Sequence, residues 1–101
     1  MTKEEIKRDY DIRIEKNVRV IFNRVRMLNK DSSNTTPFAS FTITGGFDDC
    51  IIVEIYPDGW NGLGSTKRHV YKIWLKHFNE HEYRRLVNVL DFYIEKRKNN
   101  G

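Results

Sequence analysis

Two tryptophans set among lysines and arginines are the residues in this chain best equipped to meet a ligand. Trp74 stands between Lys72 and Lys76, with Arg68 a few residues earlier, and Trp60 lies in a glycine-rich stretch that ends on Lys67. Indoles offer flat stacking surfaces that tolerate any nucleobase, while ammonium and guanidinium groups neutralise phosphates. The set Trp60, Lys67, Arg68, Lys72, Trp74 and Lys76, extended by Arg84 and Arg85, therefore describes a basic and aromatic surface for nucleic acid. Single strands suit it best, because no helical segment resembles a duplex-reading recognition element. Against this stand two plainer uses of the same residues: Trp60 tucked under its own loop, and the charges simply solvated.

Other chemistries find less support. Gly62-Leu63-Gly64-Ser65-Thr66-Lys67 would present backbone amides to an anion, but the Gly-Lys-Ser/Thr order of a nucleotide-binding loop is missing and a strand follows where a helix is needed. His77 and His81 are four apart, yet a helix start at Asn79 falls between them, so the two imidazoles do not share a helix face. Cys50 sits beside Ile51 and Val53, where an apolar setting keeps a thiol protonated and makes it a small buried hydrophobe. Asp48 and Asp49, with Glu54 and Lys72, would make a sparse nuclease-like constellation, and a hydrated turn explains two adjacent acids more cheaply. The expectation is a non-enzymatic protein with no catalytic residue, no metal and no cofactor.

At 101 residues the chain is expected to form one domain, 1–101. Its single cysteine excludes an internal disulfide, its N-terminus lacks secretory character, and its longest unbroken aliphatic run is Ile51-Ile52-Val53, so no membrane partner and a cytoplasmic location are expected. The net charge of +4 conceals a segregation: residues 1–30 hold nine Lys/Arg against five Asp/Glu, residues 31–66 hold none against five, and residues 67–101 hold nine against four. Such a pattern either orients a field that steers a polyanion or neutralises itself within the fold. It also defines a secondary acidic patch, Asp48, Asp49, Glu54 and Asp58.

That patch carries the second functional reading, a protein-interaction or inhibitor module docking on a nucleic-acid-processing enzyme, with Trp60, Tyr56 and Trp74 as anchors. In general character the chain resembles accessory and inhibitor proteins of phages and mobile elements, including anti-CRISPR proteins, a likeness of size and composition with no motif behind it. A homo-oligomer built on an exposed strand edge or on the N-terminal helix is compatible with both readings.

The elements that must position these residues follow from periodicity. Ile6, Tyr10, Ile14, Val18, Ile21, Val25 and Leu28 recur at steps of three and four, predicting a helix over about 3–29 with Thr2 and Glu5 as a capping box. Two short alternating runs, Tyr10-Ile12-Ile14 and Val18-Val20-Phe22, compete as a hairpin, but the alternation fails at Ile21, Arg24 and Arg26. As a helix, its polar side is cationic, with Arg13, Lys16, Arg24 and Lys30. Strands are predicted over about 38–44, 50–56 and 68–77, and a helix capped by Asn79 over about 80–97. The fold class is thus α+β: a long N-terminal helix, a three-stranded antiparallel β-meander and a C-terminal amphipathic helix packed on the sheet. Phe41, Ile43, Ile51, Val53, Ile55, Tyr71, Ile73 and Leu75 would share the covered face; Ser40, Thr42, Ile52, Glu54, Tyr56, Arg68, Lys72, Trp74 and Lys76 the other. Which face the N-terminal helix covers decides whether Trp74 is exposed.

Overall fold

Thr2 begins the first element as expected, its hydroxyl accepting the Glu5 amide at 3.1 Å, with Glu4 and Glu5 at the positive end of the helix dipole. The computed structural model describes residues 2–30, 36–45, 49–59 and 67–100. In chain order these form α1 (Lys3–Asn29), β1 (Phe38–Thr44), β2 (Cys50–Tyr56), β3 (His69–Trp74) and α2 (Glu80–Asn100). The helical period wins over the hairpin in residues 10–22. The sheet is the expected antiparallel meander, order β1-β2-β3, with Phe41 opposite Val53, Val53 opposite Tyr71 and Ile51 between Ile43 and Ile73.

That register puts Ile51, Val53 and Ile55 on one face, all fully buried. Both helices cover this face. Ile21, Val25 and Leu28 of α1 join Leu86, Leu90 and Ile94 of α2 over Ala39, Ile51, Val53, Ile55 and Ile73 in one core. The helices run in the same direction: Arg24 pairs with Asp91 at 3.0 Å, and further along both helices Arg97 donates to the carbonyl oxygens of Leu28 and Met27, satisfying groups that the end of α1 would otherwise leave unpaired. Burial against this layer pushes the Tyr83 and Tyr93 phenols above their ordinary value.

Two polar side chains fix how α1 lies across the sheet. At its C-terminal end Asn29 makes a peptide-like pair with Ala39 of β1, accepting from the amide at 2.8 Å and donating to the carbonyl at 2.7 Å. Nearer its start, the Tyr10 hydroxyl donates to the carbonyls of Leu75 and Lys76 at 3.2 and 3.4 Å and accepts the Phe78 amide. The helix therefore passes diagonally from the end of β3 to the start of β1.

This clamp explains one departure from expectation. β3 stops at Trp74, not near residue 77: one more ladder bond, from the Leu75 amide to the Asp49 carbonyl at 2.9 Å, continues the register, and then the carbonyls of Leu75 and Lys76 turn to Tyr10. Lys76 and His77 consequently lie in the turn before α2. Asn79 caps α2 as expected, its side-chain oxygen accepting the amides of His81 and Glu82 at 3.0 and 3.1 Å. Gly59, at φ 83°, closes the turn after β2, a conformation that residues bearing a Cβ rarely adopt.

Candidate nucleic-acid interface

With both helices on one side, neither covers the other sheet face. Phe38, Ser40, Thr42, Ile52, Glu54, Tyr56, Val70, Lys72 and Trp74 share it by strand alternation and register. Trp74 is 41% exposed, with the Lys72 ammonium 4.2 Å from the centroid of its ring. The cation is thereby held beside the indole, an arrangement worth about 0.5–1 kcal/mol at exposed sites. Cys50, opposite Trp74 in the register, is buried even on this open side, and its sulfur lies 3.1 Å from the Thr44 hydroxyl. It is the small buried hydrophobe expected.

At the other end of the same face, Glu54 accepts from the Tyr56 hydroxyl at 2.8 Å and from Arg68 at 3.0 Å, and Phe38 stacks on Tyr56 with ring centroids 4.6 Å apart. Hydrogen bonding to Tyr56 and the charge of Glu54 raise the Arg68 guanidinium above its ordinary value. Here the acidic middle segment neutralises a basic neighbour.

The sequence-predicted site divides into parts. Lys72 and Trp74 are adjacent, and Arg68 is on their face but engaged by Glu54. Lys67 is exposed just before β3, and Lys76 is exposed in the turn after it. Arg84 and Arg85 project from α2, in the layer behind the sheet, where Arg84 pairs with Glu80 at 3.5 Å; they do not join the open face. Trp60 lies outside the described residues. So does Asp48, and the other three acids form no patch: Asp49 and Asp58 flank opposite ends of β2, about 23 Å of extended chain apart, while Glu54 belongs to Arg68. The cationic face of α1 is also partly paired, through Arg19 with Glu15 and Arg24 with Asp91.

Ile52, placed on this face by its parity in the sequence, is half-buried at its centre. Sequence reasoning missed Val70, exposed on β3 between Arg68 and Lys72, which shares that parity but is obscured by its charged neighbours. A groove of about 440 Å³ between α1 and the end of β3 is lined by Tyr10, Ile14, Val18, Asp49, Leu75 and Lys76. Among the described residues no three His, Cys, Asp or Glu side chains converge as metal ligands, and no helix is long and apolar enough to cross a membrane. Comparison with protein-family models, curated proteins and solved structures finds no match.

Proposed function

We propose that the protein is a small non-enzymatic nucleic-acid-binding module that takes single strands on the open face of its sheet. The observation that carries this is the Trp74–Lys72 pair, an exposed indole with a cation beside it, on a face that neither helix covers. A base stacks on the free side of the indole while Lys72 meets the neighbouring phosphate, with Ile52 and Val70 as apolar floor and Lys67 and Lys76 as charges at its two ends. Arg68 contributes less than its charge suggests, because Glu54 already holds it. Docking on an acidic or basic partner protein has weaker support, since Asp49, Glu54 and Asp58, the described acids expected in its patch, are dispersed.

Fluorescence anisotropy of labelled oligonucleotides at two salt concentrations tests the proposal. Single strands are expected to bind more tightly than duplex. Trp74→Ala should weaken binding by about 1–3 kcal/mol, the usual worth of one stacked base. Lys72→Ala should weaken it and flatten the salt dependence, the mark of a lost phosphate contact. No binding at low salt, or binding unchanged by both substitutions, would rule the open face out.

A further inference from the structure

The two edges of the sheet are guarded very differently. β3 carries His69 and Lys72 with Arg68 beside it, whereas β1, Phe38-Ala39-Ser40-Phe41-Thr42-Ile43-Thr44, has no charged residue and pairs with β2 without a bulge over seven consecutive residues. Exposed strand edges in monomers are ordinarily blunted by charge, proline or bulges, and β1 has none of these within it. Because Asn29 takes both backbone groups of Ala39 from the outer side, strand alternation turns the N–H and C=O of Phe41 and Ile43 outward as well. Among the described residues no backbone partner meets them there.

From this edge we infer that two copies of the chain pair antiparallel through β1, with Thr42 on the two-fold axis. In that register Phe41 of each copy lies opposite Ile43 of the other, and the two pairs exchange four backbone hydrogen bonds. At each of the two equivalent ends Ala39 of one copy falls opposite Gly45 of the other, and because Asn29 already takes both backbone groups of Ala39 the pairing is confined to residues 40–44. A second copy fits better than an unrelated strand because the free stretch is its own complement: the outward residues, Phe41 and Ile43, are symmetric about Thr42, and no like charges meet.

The apolar surface agrees. Ile43 is 54% exposed and Phe22 43% exposed on the helix side of this edge, and Phe22 packs edge-on against Phe41 with centroids 5.5 Å apart. The diagonal of α1 brings it to β1 at Asn29 and away from β1 at Ile43. Since the partner runs antiparallel, its own Phe41 and Phe22 arrive where Ile43 is left uncovered. The axis stands perpendicular to the sheet, so the six strands form one sheet with both Trp74 side chains on the same side, about 24 Å apart across the strands and about 13 Å apart along them. The pairing does not depend on what the open face binds.

Light scattering coupled to size exclusion over a concentration series tests it. The wild-type chain is expected to run at twice its 12.1 kDa mass. Thr42→Lys, at an exposed position where two lysines would face each other across the axis, should return the mass to that of one chain with an unchanged circular dichroism spectrum. Val70→Lys on the opposite edge should leave the dimer intact. Should Thr42→Lys alter the fold, Ile43→Lys makes the same test from the other face. A monomeric wild type throughout the series, a dimer that survives both Thr42→Lys and Ile43→Lys, or one lost only through Val70→Lys would overturn the inference.

Discussion

Replacing Leu90 with alanine is expected to cost about 2–5 kcal/mol of stability, the range for emptying a fully enclosed leucine site. Leu90 is 0% exposed and sits where α2, α1 and the sheet meet, so the cavity would be walled by three elements and could collapse little. A domain of this size has roughly 5–15 kcal/mol in hand, so the loss would be a large part of the total. Urea unfolding followed by circular dichroism reads it as a lowered midpoint with the slope preserved. Phe92, two residues on and 61% exposed, is the internal control: Phe92→Ala should change stability by less than about 1 kcal/mol. Equal losses at the two positions would mean that α2 does not pack as described.

The second large effect is expected at Asn29. Asn29→Ala removes two short hydrogen bonds that join the end of α1 to the edge of the sheet, at roughly 0.5–1.5 kcal/mol each, for a total of about 2 kcal/mol. Asn29→Asp keeps the acceptor for the Ala39 amide but sets a carboxylate against the Ala39 carbonyl, so it should not rescue. Hydrogen exchange adds a local readout, since the Ala39 amide should lose protection before those of β2. If that amide exchanges at the wild-type rate in Asn29→Ala, the bond does not hold the edge.

Much of this architecture was legible in the sequence because it rests on local rules. Thr2 and Asn79 cap the helices they precede, the steps of three and four from Ile6 to Leu28 mark α1, and the parity of Ile51, Val53 and Ile55 names the buried face. What could not be read is how distant pieces meet. Amphipathicity says that a helix has a face to bury but not which surface receives it, and the exposure of Trp74 follows only from both helices lying on one side of the sheet. The early end of β3 depends on Tyr10, sixty-five residues before Leu75, and no periodicity encodes that contact. The candidate site shows the same limit: Lys72 and Trp74 are two apart on a strand and so share a face, while Arg84 and Arg85 are close in sequence yet belong to the helical layer. Glu54 reads as part of an acidic patch until the register brings it beside Arg68.

The helical layer behind the sheet carries enough cations to bind a polyanion without the open face, and the two routes differ in where they leave a mark. Titration of isotope-labelled protein with a single-stranded oligonucleotide, followed by amide and indole resonances, separates them. Binding at the open face predicts shifts centred on Ile52, Val70, Lys72 and the Trp74 indole N–H, with the amides of Arg84 and Arg85 unmoved. Shifts gathered on α1 and α2 instead, or none at low salt, would contradict it.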